Sequence, residues 1–252
     1  MFCSVMVVLT KELREKIRRA KKERGLPPPP DLTIPELLNR TTSESISAIQ
    51  AYISSFEYNY SGVPFVSLKR SRSTLYVFKT AQDIIRLGLP IQCVEATFLG
   101  CLLTAGMNGV DRVPLSFKSR CQGEIYRHIV LAIRFEDRWG AVGISRRGNL
   151  MFKGLNFSTL GDLVLDFSSC YAESFHDLLT CYVGMPFSHD KSSECPVKWR
   201  AMKVHILQNS SAAIKSTLSI YSSAMLGMFE HFKRTGSVLT PHDVTCCTEA
   251  VV

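Results

Sequence analysis

The fold class is decided by residues 125–145, which read IYRHIVLAIRFEDRWGAVGIS. Two segments of this stretch are rich in the β-branched and aromatic side chains that favour strands. A turn centred on Glu136-Asp137 pairs residues whose numbers sum to 273, and this register places His128 opposite Ser145. Directly opposed side chains have Cβ atoms about 4.5–5.5 Å apart, so a hydroxyl at one position can orient an imidazole at the other. The stretch therefore predicts an antiparallel hairpin.

Helical segments surround this hairpin in the sequence. The first of them is ended by Gly88 and Pro90, which is typical of a helix C-terminus. The order of helices followed by an antiparallel pair favours the α+β class. The predicted elements are strands at 125–135 and 139–145, and helices at 75–87, 90–106, 160–171 and 214–232.

The chain is predicted to be one domain with appendages. Residues 11–24 are charged nearly all round, and Pro27–Pro30 form a stiff linker. The predicted organisation is a basic N-terminal arm with its proline linker at 1–30, a helical partner-binding region at 31–57, a core at 58–195 and a C-terminal helical extension at 196–252.

The helical region at 31–57 opens with Thr41-Thr-Ser-Glu44, which fits a capping box. The helix that follows carries an apolar stripe on one face. Such a stripe packs on the core of its own chain or holds a helix of a partner, and the sequence leaves both alternatives open. The stripe consists of Ile46, Ile49, Ile53 and Phe56.

The composition is that of a globular protein with an acidic partner. Of 252 residues, 46% are hydrophobic and 21% are charged, which excludes a fibrous or disordered chain. The net charge of +8 favours nucleic acid, an anionic membrane or an acidic protein tail as partner. Nine cysteines without a CxxC pair indicate reduced thiols in the cytosol. The apolar start at 1–9 is too short to span a membrane and makes a poor signal peptide, so we expect a cytoplasmic protein, with secretion left open.

Cys93 is the candidate nucleophile, in the segment LPIQCVEA at residues 89–96. Because Pro90 disfavours helix at the preceding residue, the helix is expected to begin just after it, with Cys93 in its first turn. There the helix dipole favours the thiolate, and the free amides can stabilise an oxyanion. The other cysteines lack this helix-start context. A buried inert thiol is the alternative.

One side of this helix is made of small residues, namely Cys93, Ala96, Thr97, Gly100 and Thr104. The hairpin also has a small face, which includes His128 and Val130, and a bulky apolar face. A helix with a small face can approach another element closely. We therefore expect the small face of the helix to pack on the small face of the hairpin, which would bring Cys93 to His128.

Cys93, His128 and Ser145, spaced 35 and 17 residues apart, resemble the Cys-His-Ser triad of the vasohibins, the tubulin tyrosine carboxypeptidases. The resemblance covers about residues 49–190. The flanking motifs that agree are YNYSG at 58–62, KRSR at 69–72, LPIQCVEA at 89–96, SFK at 116–118, YRHIVL at 126–131, WGAVGISRR at 139–147 and LVLDF at 163–167.

The resemblance implies a transglutaminase-like, papain-like cysteine protease core with an N-terminal helical subdomain. It implies removal of the terminal tyrosine from the α-tubulin tail, on microtubules in the cytoplasm. It also implies a short helical companion, the small vasohibin-binding protein. No cofactor, metal, nucleic acid or membrane span is expected.

The resemblance also implies roles for individual residues. Cys93 would attack the last peptide carbonyl, His128 would act as base and then acid, and Ser145 would orient the imidazole. The substrate-binding residues would be Tyr58, Lys69, Arg70, Gln92, Lys118, Arg127 and Arg146, with Arg146 on the terminal carboxylate and the other basic residues on a glutamate-rich tail. The family has lysine where this chain has Gln92, and the lost cation would weaken carboxylate binding and thiolate stabilisation.

Other functions have less support in the sequence. A catalytically silent module that binds acidic tails or microtubules is the main alternative, and Gln92 is the residue that favours it. A metal enzyme would have to use His189, Asp190, Glu194 and Cys195, which lack a recognised ligand spacing. Nucleic-acid binding has only the net charge behind it, since no basic stripe is interleaved with aromatic residues.

Overall fold

A six-stranded antiparallel sheet forms the centre of the molecule, in the order β4-β3-β2-β1-β5-β6. The computed structural model describes residues 34–37, 39–68 and 73–235, with isolated helical positions between 12 and 23. The proline linker, Lys69 and Arg70 lie outside the described residues. The strands are β1 (Asp111–Cys121), β2 (Glu124–Phe135), β3 (Arg138–Val142), β4 (Lys153–Phe157), β5 (Asp177–Val183) and β6 (Met202–His205).

The helices lie on both faces of this sheet, and the mixture of helices with an antiparallel sheet confirms the α+β class. They are α1 (Thr42–Ser54), α2 (Thr74–Leu87), α3 (Cys93–Leu103), α4 (Leu160–Glu173) and α5 (Ser211–Thr235), with a short 3₁₀ turn at Gly148–Leu150. Among the described residues, no helix combines the length and the apolarity needed to cross a membrane.

Local signals explain where these helices begin and end. The hydroxyl of Thr41 accepts a hydrogen bond from the Glu44 amide at 3.3 Å, and the Glu44 carboxylate accepts one from the Thr41 amide at 2.8 Å. This reciprocal pair is the predicted capping box. Gly88 ends α2 in the left-handed conformation at φ 57°, which glycine adopts without a steric cost.

The hairpin of β2 and β3 has the predicted register. Ala132 pairs with Ala141, and the turn residues Glu136 and Asp137 have φ values of 45° and 58°. Positive φ at both positions defines the tight turn whose twist matches that of the strands. The ladder is shorter than predicted, since β3 ends at Val142 and residues 143–145 leave the sheet.

A side chain of α1 binds the backbone directly after the end of β3. The Gln50 amide nitrogen donates to the Gly143 carbonyl at 2.9 Å, and the Gly143 amide donates to Gln50 Oε1 at 3.0 Å. Both bonds are buried. A carboxamide can pair with a peptide unit in this way because it has the same donor and acceptor groups. Gln50 therefore joins α1 to the chain directly after β3.

Helix α3 packs on the bulky face of the hairpin, so the prediction that two small faces meet is wrong. A Cβ added at Gly100 would lie 3.0 Å from Cδ2 of Leu131 and 3.1 Å from Cγ2 of Val142. The small face, with Val130 and Ala132, packs with α4 and α5 instead. The physical reason is close packing, which places large side chains in the space that small ones leave.

The apolar stripe of α1 is buried in the core of its own chain. Ile46, Ile49, Ile53 and Phe56 are each at most 3% exposed and belong to the cluster that includes α2 and α3. Of the two alternatives for this stripe, the structure shows core packing. A partner of the 31–57 region, which stays a prediction, would have to contact other surfaces.

At the other end of the chain, the region predicted as a helical extension also contributes a strand, because β6 joins the sheet beside β5.

We expect Gly140→Ala to lower the free energy of unfolding by about 1–3 kcal/mol, as overpacking does elsewhere. A Cβ at Gly140 would lie 2.6 Å from the Lys153 carbonyl oxygen and 2.8 Å from that of Gly154, so β3 and β4 would have to separate. Gly227→Ala is the matched control, because an added Cβ there meets nothing within 4 Å. That variant should be stabilised by up to about 1 kcal/mol through helix propensity. Urea denaturation measures both, and equal effects would contradict the close approach of the strands.

Candidate active site

Helix α3 begins at Cys93, which is partly buried. The residue before it, Gln92, has extended backbone, and its amide donates to the Glu95 carboxylate at 3.3 Å. The side-chain amide of Gln92 donates to the Asn59 carbonyl at 3.2 Å. The thiol therefore lies at the amino terminus of a helix, as Pro90 led us to expect. Backbone N–H groups in the first turn of a helix lack partners within the helix and favour negative charge.

Tyr58 is held beside Cys93 by the backbone. The Asn59 amide donates to the Ile91 carbonyl at 2.8 Å, and the Ile91 amide donates to the Glu57 carbonyl at 2.8 Å. Burial and then the negative charge of Cys93 raise the pKa of Tyr58. The phenol is thus neutral over the physiological range and can donate its proton in a hydrogen bond.

Arg146 lies near the same tyrosine. After Ser145 the chain bends and enters the 3₁₀ turn at Gly148–Leu150. The positive charge of Arg146 lowers the pKa of Tyr58 against the larger effect of burial. The Arg146 side chain is exposed. An exposed guanidinium within electrostatic range of Tyr58 can receive a carboxylate.

His128 is oriented by a main-chain group. Its Nε2 lies 2.7 Å from the Leu150 carbonyl oxygen, which can only accept, so Nε2 carries the proton. In the neutral ring Nδ1 is then the basic nitrogen. Burial lowers the pKa of His128 to about 4, against the opposing effect of the Leu150 bond. Ser145, the predicted orienting residue, instead accepts a bond from the Arg147 amide at 3.2 Å.

Tyr171, on the face of the sheet that carries His128, lies within electrostatic range of Cys93. His128 is directly opposite Phe117, whose ring centroid is 5.6 Å from that of Tyr171. Burial and then the negative charge of Cys93 raise the pKa of Tyr171. Cys93 is therefore within electrostatic range of the rings that adjoin His128, although α3 packs on the other face.

A second histidine lies close to this cluster. His176 Nδ1 is 3.1 Å from the Ser119 hydroxyl, and its ring meets Tyr126 edge to face with centroids 4.9 Å apart. Burial, and then the charges of Arg147 and Arg146, lower the pKa of His176. Arg146 is thus within electrostatic range of both His176 and Tyr58.

The predicted basic lining is present in part. Lys118 on β1 and Arg127 on β2 are directly opposed in the register, which is unfavourable for two like charges. Neither has a carboxylate partner within the described part of the chain. Two opposed like charges lower the stability of the fold, and such a pair is typical of a site that binds an anion.

None of the six described cysteines forms a disulfide, and burial raises the pKa of Cys101 to about 12. His189 accepts from the Gly106 amide at 3.1 Å and donates to the Val110 carbonyl at 2.8 Å, so both ring nitrogens bind backbone. Over the described ranges, no group of three or more His, Cys, Asp or Glu residues could hold a metal ion.

Several residues of the site were missed by the sequence analysis. Glu95 is 2% exposed and binds the backbone at Gln92, and the Q-x-x-E spacing before an apolar run was the signal that could have found it. Tyr171 and His176 carry no such signal, because only the packing of α4 and β5 brings them to the site. Leu150 contributes only its main-chain carbonyl, which any residue type would supply, so the sequence carries no signal for it.

Fold and site together define an α+β protein with a cysteine at a helix start and a neutral, backbone-oriented histidine on the adjoining strand. A sequence model of the vasohibin family matches residues 1–226, and the chain belongs to that family. The mouse protein named tubulinyl-Tyr carboxypeptidase 1 is 38% identical over 185 residues, which are 72% of this chain and 49% of the mouse protein. The chain thus spans about half the length of that relative.

The lowered pKa of His128 predicts a pH-dependent stability. The pKa of His128 is about 6.5 in the unfolded chain and about 4 in the folded one, so between these pH values only the unfolded chain binds the proton. The free energy of unfolding therefore decreases as the pH is lowered through that window. We expect His128→Gln to lose less stability than the unmutated protein between pH 7 and pH 5. Urea denaturation at both pH values measures the difference. Ser145→Ala, which removes no titrating group, should keep the slope of the unmutated protein, and identical slopes in all three proteins would count against a buried neutral His128.

Proposed function

We propose that this chain is a cysteine carboxypeptidase that removes the C-terminal tyrosine from the acidic tail of α-tubulin through an acyl-enzyme. The observation that carries the proposal is the position of Cys93, the first residue of α3, within electrostatic range of Tyr58. The name of the mouse relative supports tubulin as substrate. A cysteine helix packed on an antiparallel sheet that carries the histidine supports the transglutaminase-like, papain-like core.

In the first step the Cys93 sulfur attacks the carbonyl of the last peptide bond, and the thiol proton passes to Nδ1 of His128. This nitrogen is free to accept because Nε2 is bonded to the Leu150 carbonyl. Amides in the first turn of α3 and the neutral Tyr58 hydroxyl are donors for the oxyanion. The intermediate collapses when Nδ1 returns its proton to the amine of the leaving tyrosine. A thioester to the penultimate residue remains.

In the second step water attacks the thioester, and Nδ1 of His128 takes the proton of the water. The tail leaves with a new terminal carboxylate, and the thiol is restored by the proton that His128 returns. The lowered pKa of His128 keeps the ring neutral, and hence basic, at physiological pH. Ser145 keeps the orienting role that the resemblance implies only as a prediction, beside the Leu150 carbonyl.

Arg146 and Tyr58 are proposed to bind the terminal carboxylate, and Lys118 and Arg127 the upstream glutamates. Gln92 takes the place of a family lysine, and its side chain binds the Asn59 carbonyl. A neutral side chain therefore replaces the cation, and its hydrogen bond to Asn59 holds the segment that carries Tyr58. Among the described cations, Arg146 is the one whose charge lowers the pKa of Tyr58. Lys69 and Arg70 belong to the proposal by resemblance.

The second candidate function is a catalytically silent module that binds acidic tails or microtubules. The uncovered Lys118–Arg127 pair is compatible with both functions. The small vasohibin-binding protein is proposed as companion on the resemblance, and the buried stripe of α1 is not its docking surface. A cytoplasmic, cytoskeletal location follows from the proposed substrate.

We expect the full chain to release free tyrosine from a peptide ending in Glu-Glu-Tyr, with and without the companion. Cys93→Ala should abolish release, because it removes the nucleophile and little volume. Cys195→Ala is the control, since Cys195 is an exposed thiol on a loop and should be dispensable. Tyrosine is quantified by chromatography. If Cys93→Ala releases tyrosine like the unmutated chain, Cys93 is not the nucleophile, and if neither chain releases any while both bind the peptide, the silent module is correct.

Recognition of the carboxylate gives a second test. Arg146→Ala should reduce kcat/KM for the free-acid peptide by at least about tenfold, since a charge-assisted pair contributes about 1.5–3 kcal/mol. Amidating the peptide terminus should have a similar effect on the unmutated enzyme. The two losses should not add, because both remove one contact. Arg138→Ala, at the far end of β3, is the control. An amidated peptide cut as fast as the free acid would make an endopeptidase the better assignment.

A further inference from the structure

The face of the sheet that carries Arg127 is open beyond α3. Alternate residues of a strand share a face, and directly paired residues of neighbouring strands lie on the same face. The row that starts at Arg127 continues through Lys118 on β1 and Thr180 on β5 to His205 on β6. Arg127 is exposed, Lys118 and His205 are partly exposed, and Thr180 is buried beneath them.

A second row runs beside the first on the same face. It passes from Ser116 on β1 through Tyr182 on β5 to Lys203 on β6. Arg200 lies over the Tyr182 ring, with its guanidinium carbon 4.6 Å from the centroid. This contact holds the planar cation above the sheet. Arg200 and Lys203 are both exposed.

The charge of this face is strongly unbalanced. Of the residues of β1, β2, β5 and β6 that point to it, only Asp177 is acidic, and it is paired with Arg120 at 3.1 Å. The two rows together present Arg127, Lys118 and Lys203, with Arg200 beside them. The buried Ser116 and Thr180 form a low floor between these long side chains. We call this cation-lined strip of the sheet the trough.

The order of the strands decides where the trough leads. Arg127 lies on the same face as Leu131, against which α3 packs, so one end of the row lies on the face covered by the helix that begins at Cys93. From β2 the sheet continues through β1 and β5 to β6, at its edge. Neighbouring strands are about 4.8 Å apart, so the row from β2 to β6 spans about 14 Å, the length of about four extended residues.

We propose that this trough binds an acidic polypeptide segment upstream of the cleaved bond, and that Arg200 and Lys203 receive the carboxylates farthest from Cys93. The inference rests on the proposed function, since it takes the trough to hold the same tail that the active site cuts. Arginine and lysine suit carboxylates, and the Tyr182 ring fixes the guanidinium so that less entropy is lost on binding. The trough extends the site to β6, where the predicted lining of Lys118 and Arg127 does not reach.

The experiment measures the Kd of fluorescent peptides by anisotropy, on full chains that carry Cys93→Ala so that nothing is cut. All peptides end in Glu-Glu-Tyr and are extended upstream by zero, four or eight residues, either all glutamate or all glutamine. We expect four added glutamates to tighten binding, glutamines to have little effect, and eight glutamates to add little to four. Raising the salt concentration should shrink the gain, because exposed charges are screened.

In the same background, Lys203→Gln and Arg200→Gln should each weaken binding of the four-glutamate peptide about two- to five-fold, the range for an exposed ion pair. Lys79→Gln, which removes an exposed cation of α2, is the matched control and should not. The proposal is overturned if glutamine extensions tighten binding as much as glutamate ones, or if the Lys203 and Arg200 variants bind like the Lys79 variant. Failure of the proposed function is recognised separately, as absence of tyrosine release by the chain with Cys93 intact.

Discussion

The pairing of the Gln50 carboxamide with the Gly143 peptide unit is the constraint on which the rest of the site depends. It joins residues 93 positions apart and lies in the interior, where an unpaired amide or carbonyl would be costly. Beyond this pairing the next residues lie outside the strand. Those residues then supply Ser145, Arg146 and the Leu150 carbonyl from one short segment. The helix for which the sequence left core packing and partner binding both open thus contacts the segment of the candidate site from within.

Features that depend on neighbouring residues could be predicted from the sequence. The hairpin register follows from a two-residue turn, and the helix starts follow from caps and prolines. Strand β1 was missed because Pro114 and charged residues interrupt its alternation. Its buried Arg112 is acceptable only because it donates to the Cys101 carbonyl at 2.7 Å and to the Phe187 carbonyl at 3.1 Å. Those acceptors come from remote segments. The prediction of how α3 packs was wrong for a related reason, since this packing depends on how Gly100 fits against residues of another element.

The same division applies to the site. The helix start explains Cys93, and the resemblance led to His128 and Arg146. Tyr171 could not be recognised, because it reaches the site through a ring contact with Phe117 across the sheet. The trough on the open face was equally hidden, since it consists of single residues from four strands that are adjacent only in the folded chain. A basic composition predicts an acidic partner, but only the register shows which cations act together.

The bond from His128 to the Leu150 carbonyl has a consequence for how the family can vary. A triad whose third member is a side chain loses that member through a single change of codon. Here every amino acid at position 150 would present the same oxygen, so the orienting acceptor is protected from point substitution. It is vulnerable instead to insertions, deletions or prolines in the turn at Gly148–Leu150, which would move the carbonyl without changing any residue that looks catalytic. A change in the length of this loop could therefore abolish activity in a relative whose cysteine and histidine are both intact.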